Sequence, residues 1–332
     1  MRYRPWGQLP WLISRTEPMW SLVNCLSPER RCIAAQNAMV DIGCVDRIFT
    51  LDIVDPMSRF SPRANLLKEE NRKLLQSGSC TNNYLQRELI ASDAEIVEVL
   101  EHVASSGVTN LVCDISCIPK RFFFPFVKLL MRKTGILNLL ITYTVPELYH
   151  TGILAEDHGP LQSLPLFGPN SFDDQVDLAV IGVGFVPLGL ASLLEPFRDA
   201  VVPVELLFPF PPGPPFYQRN WNFIQEIRHT LAEKGSDPYR LHAVDPSTTF
   251  DHIVALCADG KKRAAFAPYG PKPISLAMCL YAMLNDCPVY YTQPKLYHPD
   301  YSSGIALHNG KPNINAYALR LANQDFYTKK VA

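Results

Sequence analysis

One eight-residue phrase occurs twice in this chain and limits the folds open to it. Tyr143-Thr144-Val145-Pro146-Glu147-Leu148-Tyr149-His150 and Tyr291-Thr292-Gln293-Pro294-Lys295-Leu296-Tyr297-His298 share the pattern YT-x-P-x-LYH, offset by 148 residues (291 − 143). Each copy follows an apolar run, residues 137–142 in one case and 288–290 in the other. Upstream of each, Pro-Lys opens another apolar segment: Pro119-Lys120 and Pro271-Lys272. The simplest reading is one strand–loop–helix–strand unit used twice.

The rest of the pattern fits that reading. Short apolar runs at 46–54, 108–115, 136–143, 176–183, 201–207, 263–267 and 288–292 read as strands, most of them buried on both faces. Helical stretches alternate with them at 27–40, 61–76, 92–103, 120–132, 187–197, 217–234, 248–258 and 272–285. Ser92-Asp93-Ala94-Glu95 has the form of a capping box. Residues 9–14 read as a strand, and Pro18 and Met19 as the opening of a helix. Residues 209–215, rich in proline, read as an extended loop. Past Lys295 the chain reads as loop, with a short helix near 314–323. Such alternation implies parallel sheets covered by helices. The expected fold is α/β, with two Rossmann-like, doubly wound halves related by internal duplication. Their expected bounds are 1–150 and 176–310, with a linker at 151–175 and a tail at 311–332.

Composition narrows the class. At 332 residues the chain has room for two ordinary domains, and 47% apolar against 19% charged residues marks it as globular. A net charge of −1 gives no global case for nucleic-acid binding. Pro5, Pro10, Arg15 and Pro18 interrupt any signal-peptide core, and no apolar run reaches a membrane span. A cytoplasmic location is expected, with the nine cysteines as thiols.

The site should lie at the carboxyl edge of the sheets, where α/β proteins bind ligands. Two strand-end loops there, Asp114 to Lys120 and Ala267 to Lys272, each deliver a lysine to a helix N-terminus. A cation is unfavourable at that end of the helix dipole, so an anion between lysine and helix would account for it. The alternative is that the lysines face solvent or pair with local carboxylates. The expected ligand-binding set is Ser116, Lys120, Arg121, Tyr143, Tyr149, Tyr269, Gly270, Lys272, Tyr291, Gln293 and Tyr297. Aromatic faces with polar tips suit a base or ribose; the bland reading is that the tyrosines pack and the prolines stiffen the turns. Asp114, Glu147 and His150 are the candidates for acid–base work. Asp114 reads equally well as a buried partner of Lys120 and Arg121.

Other motifs are absent or fail. Residues 181–189, IGVGFVPLG, place Pro187 where a dinucleotide fingerprint needs its third glycine. Cys113 and Cys117 have the wrong spacing for zinc. No metal and no cofactor is expected.

Tyr269-Gly270-Pro271-Lys272, at a strand end and opening an apolar helix, resembles the glycine–threonine–lysine turn of the CARF-type Rossmann-like sensors, with Pro271 in place of threonine. That resemblance implies a ligand of the cyclic-oligonucleotide kind and a role in prokaryotic defence. The longer phrases APYGPKP-x-SLAMCL and YYTQPKLYHPDYSSG look like those of an uncharacterised bacterial family. Three functions stay open. One is a binding or sensor protein for a nucleotide or other phosphorylated ligand, in contact with an effector protein. The second is a nucleotide hydrolase or glycosyl transferase using the same edge. The third is a structural subunit docking through the phenylalanine-rich helix at 122–126 and the proline-rich loop.

Overall fold

The computed structural model describes residues 4–76, 81–169, 176–190, 192, 202–211, 217–228 and 237–329. The chain divides into two compact units. The larger takes the chain up to Asp157 and again from Pro294 to Tyr327; the smaller takes His158–Gln293 and the residues from Thr328.

The larger unit begins with β1 (Trp6–Gln8), α1 (Leu9–Ile13), β2 (Trp20–Leu26), α2 (Ala34–Ile42), β3 (Val45–Val54) and α3 (Ser61–Gln76). It continues with β4 (Thr81–Glu88), α4 (Asp93–Ala104), β5 (Asn110–Asp114), α5 (Lys120–Arg132), β6 (Asn138–Thr144) and β7 (Leu148–Tyr149). After β8 (Ala155–Ser163), the smaller unit supplies β9 (Leu178–Gly182), β10 (Val204–Phe210), α6 (Tyr217–Arg228), β11 (Tyr239–His242) and α7 (Pro246–Leu256). Then come β12 (Ala264–Pro268), α8 (Lys272–Asn285) and β13 (Tyr290–Tyr297). The return to the larger unit carries β14 (Ser302–Ser303), β15 (Leu307–His308), β16 (Lys311–Pro312), β17 (Ile314–Leu321) and β18 (Gln324–Asp325).

Both units are Rossmann-like. In the larger, β4, β3, β2, β5 and β6 lie side by side in that order, all parallel. In the smaller the order is β11, β10, β9, β12, again parallel, and Val289 just before β13 bridges Phe266 in β12. Counted from its first parallel strand, each sheet runs third, second, first, fourth; β6 adds a fifth in the larger sheet, and the bridge at Val289 marks the same place in the smaller. The two Pro-Lys turns therefore occupy the same topological place, after the fourth strand.

Several expectations are corrected. Residues 9–13 form α1, not a strand: Pro10 fits the first turn of a helix, where its missing N–H costs nothing. The segment expected to open a helix at Pro18 and Met19 instead leads into β2, buried at every position between β3 and β5. The expected linker at 151–175 contains β8, which pairs with β13. The expected helix near 314–323 is β17, antiparallel to both β6 and β1. Residues 314–320 are all buried, so neither a helical nor a strand period is visible in them. The expected tail is thus an integral strand of the first sheet, and the second unit's expected extent to 310 ends at Gln293. The expected helix at 187–197 and the loop at 209–215 lie partly outside the described residues.

The core of the larger sheet explains its stability. On one face Leu9, Leu12, Trp20, Leu22, Met39, Ile48, Val112, Leu140 and Ile314 pack together. Every residue of α5 from Lys120 to Met131 is buried. Phe122, Phe123, Phe124 and Phe126 are fully enclosed, and each ring contributes roughly 2–3 kcal/mol by leaving water. That helix is thus not available as a docking face. Ser92 caps α4 as expected, its side chain accepting from the Glu95 N–H while Glu95 reaches back to the Ser92 N–H. No helix among the described residues is long and apolar enough to cross a membrane.

Candidate functional site

In the larger unit the chain leaves β2 towards β3 on one side, while β5 lies on the other. The loops after β2 and β5 therefore diverge and leave a crevice at the carboxyl edge, where ligands of α/β sheets bind. Beyond β2 the sequence Ser27-Pro28-Glu29-Arg30-Arg31 leads through a 3-10 turn (Arg30–Ile33) into α2. Beyond β5 the loop ends at Lys120, the first residue of α5. Two helical N-termini thus flank one crevice, each with a cation on its first turn.

Arg31 is buried, and both its Nε and Nη2 meet Glu29 Oε2, at 3.1 and 3.0 Å. Its guanidinium also donates to the Thr144 carbonyl and stands 5.7 Å from the centre of the Tyr143 ring. Burial works against its charge, yet Glu29 and the neighbouring Cys117, Tyr143 and Tyr149 hold its pKa well above the ordinary arginine value. Arg30 is exposed and donates to the neutral Asn71 side chain at 3.2 Å; no carboxylate among the described residues pairs with it.

Asp114 and Ser116 serve the loop itself. Asp114 Oδ1 accepts from the Ser116 N–H at 3.1 Å, from the Ser116 hydroxyl and from the Thr142 hydroxyl at 3.2 Å. The Ser116 hydroxyl in turn accepts from the Thr144 N–H at 2.7 Å. Both residues are buried, so this network ties β5 to β6 and fixes the crevice wall. The alternative pairing of Asp114 with Arg121 is not what forms. Arg121 points to α4, donating to the Ala91 carbonyl at 2.8 Å and to Asp93 at 2.7 Å. Lys120 is buried on α5, at the crevice.

The two copies of the repeated phrase meet in the larger unit. The first bends after β6 and carries Tyr143 and Tyr149, whose hydroxyls lie 3.3 Å apart. Burial, reinforced by Tyr143, pushes the Tyr149 hydroxyl well above its ordinary pKa. The second copy falls within a single strand, β13, up to Tyr297, and from Pro294 onwards it belongs to the larger unit. His298 stacks on His150 with ring centroids 3.9 Å apart and planes at 11°. Tyr301 packs edge-on against both Tyr149 and Tyr297, each at 6.1 Å. Asp300 makes a bidentate ion pair with Arg63 of α3, at 3.0 and 2.9 Å. Ser302 donates to Glu29, the carboxylate that holds Arg31. Residues 297–303 thus form a strap fastened to α3, to the loop after β2 and to the loop after β6. Glu147 is exposed and covers Gly304, where a Cβ would collide with its carboxylate.

The smaller unit closes the equivalent crevice with its own backbone. A Cβ on Gly270 would lie 3.0 Å from the Val183 carbonyl oxygen, and one on Gly184 would collide with the Tyr269 carbonyl. Gly182 and Gly184 therefore admit the loop of Tyr269 and Gly270 rather than a ligand. Tyr269 donates to the Leu188 carbonyl at 2.7 Å and lies 3.2 Å from the Thr292 hydroxyl; burial pushes its pKa up to about 12. Tyr291 packs on Tyr269 at 5.3 Å. Tyr291 and Gln293 are buried in this unit, whereas Lys272, at the start of α8, is half-buried. Of the expected set, Ser116, Lys120, Tyr143 and Tyr149 gather at the larger unit's edge, joined by Tyr297 from the second copy. Tyr269, Gly270, Lys272, Tyr291 and Gln293 belong to the smaller unit.

Glu29, Arg30, Arg31, Tyr301 and Ser302 were not anticipated. The signal was present in the SPERR stretch directly after an apolar run. Reading Pro18 and Met19 as the opening of a helix hid it, because a polar cluster is informative only once it is known to follow a strand. No group of metal-ligating side chains is assembled among the described residues.

The sequence matches no protein-family model. No curated protein matches it. Among solved structures, a protein of unknown function from Pseudomonas aeruginosa PAO1 aligns at 10% identity over 83% of this chain and 92% of its own, with a TM-score of 0.22. A candidate universal stress protein from Pseudomonas aeruginosa UCBPP-PA14 aligns at 9% identity over 83% and 93%, with a TM-score of 0.23. Likenesses at this level carry no functional argument. The likeness of Tyr269–Lys272 to the CARF sensors stays a likeness of one turn, and that turn is packed against Gly182 and Gly184.

Proposed function

We propose that the protein is a binding or sensor protein whose larger unit takes a nucleotide or another phosphorylated small molecule. The observation that carries this is the reversal of strand order between β2 and β5, with helix N-termini beyond both strands. A phosphate there would meet the positive ends of two helices. Arg30 adds a charge with no carboxylate partner among the described residues, and Lys120 stands on the facing first turn. The Tyr143–Tyr149 pair and the strap supply aromatic surface beside it. In the frame of the CARF resemblance, occupancy would be signalled to an effector protein in bacterial defence.

Thermal unfolding of the full chain with nucleoside mono-, di- and triphosphates and with cyclic oligonucleotides tests this. The expected result is a higher Tm with at least one of them, lost in Arg30→Ala and in Lys120→Ala and kept in Lys272→Ala. No shift with any member of the panel would sink the proposal. A shift lost only in Lys272→Ala would move the site to the smaller unit.

A further inference from the structure

A second concave feature lies on the same carboxyl edge, past the ends of β3 and β4. It is a cleft of about 310 Å³ between these strands, the first three turns of α3 and the start of the strap. That volume is at the lower end of the roughly 300–1,000 Å³ typical of small-molecule sites.

Its charges are unevenly used. Lys68 donates to Asp52 at 2.6 Å and to the Ile53 carbonyl at 2.9 Å, and Arg72 donates to the other oxygen of Asp52 at 2.8 Å. Asp52 is thereby saturated by the cleft's two cations. Asp55, three residues on, also lines the cleft, and no hydrogen bond or ion pair reaches it among the described residues. Burial pushes its carboxyl pKa upward, with Lys68 opposing. A half-buried acceptor without a donor favours a ligand that brings hydroxyl hydrogens. It disfavours a phosphate, which would add negative charge beside it. Phe60 and Tyr297 line the same cleft and bring aromatic rings to it.

We propose that this cleft seats the nucleoside part of the ligand, with Asp55 accepting hydrogen bonds from the vicinal hydroxyls of a ribose and Phe60 and Tyr297 flanking the sugar or base. The inference rests on the phosphate reading of the neighbouring crevice, and extends it. In an α/β sheet of this order, a carboxylate at the end of the strand next to the first is placed to meet a ribose bound with its phosphate at the strand-order reversal. It also gives Tyr297, from the second copy of the repeat, a task in a site formed mostly by the first half of the chain.

The test is calorimetric titration of the full chain with adenosine, guanosine, cytidine and uridine, with their 2′,3′-dideoxy forms, and with inorganic phosphate. At least one ribonucleoside is expected to bind, and its dideoxy form to bind about tenfold or more weakly, since hydrogen bonds to a half-buried carboxylate are lost. Asp55→Asn should abolish most of that discrimination while binding the dideoxy form as the wild type does. Equal binding of the two forms by the wild type would overturn the subsite, as would full discrimination in Asp55→Asn. If that variant does not fold, the comparison of ligands on the wild type decides alone. If no ribonucleoside binds, the subsite is overturned; phosphate or nucleotide binding that still depends on Arg30 would then leave the phosphate reading intact. Loss of both would remove both.

Discussion

His150 and His298, the last residues of the two copies of one phrase, stack face to face at 3.9 Å in the larger unit. The edge of Phe60 meets His298 at 5.1 Å, and His298 Nδ1 accepts from the Asp300 N–H at 3.2 Å. That bond requires an unprotonated Nδ1. The contact therefore joins the loop after β6 to the strap and depends on at least one neutral ring.

The pH dependence follows from that contact. Burial, and then the proximity of His150, lower the pKa of His298; Arg59 adds to this, while Asp300 and Glu156 oppose it. A histidine with a depressed folded value stabilises the fold fully above its unfolded pKa of about 6.5, and that stability fades as pH falls towards the folded value. The wild-type Tm should thus decline between pH 7 and pH 5 more steeply than that of His298→Gln. Parallel declines measured by differential scanning calorimetry would show that the stack does not titrate.

The Arg31–Glu29 pair should be strongly coupled. Both side chains are largely buried, so removing one charge strands the other. Glu29→Gln is expected to destabilise by roughly 3 kcal/mol, and Glu29→Gln with Arg31→Met by much less than the sum of the two single changes. Urea unfolding of the four proteins gives the coupling; additive losses would refute it.

Asp52 holds Lys68 and Arg72 near the cleft. Burial raises its pKa, but hydrogen bonds and charges from Lys68 and Arg72 outweigh it, so the net shift is downward. The stability it contributes is present above the unfolded value of about 3.9 and is lost as pH falls below it. Asp52→Asn should cost roughly 3 kcal/mol at pH 7, and the difference from wild type should narrow in acid. A gap that is constant from pH 7 to pH 3 would contradict this.

The closed crevice of the smaller unit predicts intolerance at Gly184. Any side chain there meets the Tyr269 backbone, which cannot swing aside as a flexible side chain would. Gly184→Ala should lose about 1–3 kcal/mol, or more if the loop must shift. The same substitution at Gly43, where a Cβ meets nothing within 4 Å, is penalised only by its positive φ of 73°. A Gly184→Ala protein as stable as wild type would show that the crevice is open.

The legible parts of this chain are those where a local pattern carries the physics. The Ser92 capping box, the bounds of α5 and α8 and the strands β3, β5 and β6 all follow from caps, prolines and apolar runs. The Pro-Lys turns fall at equivalent places in both sheets. Misread segments were short apolar runs without a period. Residues 314–320 bury both faces between β6 and β1, and residues 20–26 bury both faces between β3 and β5. In such runs composition reports burial and says nothing of backbone shape.

The sequence by itself determined the parallel α/β class and the double use of one unit. Those properties depend on interactions within a few residues or on the alternation of neighbouring elements. Tertiary structure alone decided that one copy of the phrase is split between two strands while the other continues as one, that the chain returns at Pro294 to complete the first sheet, and that one crevice is filled by its own glycine-backed loop. Each of these depends on which distant surfaces find each other. Pairing free energies between segments more than a hundred residues apart leave no mark on the local order of residues.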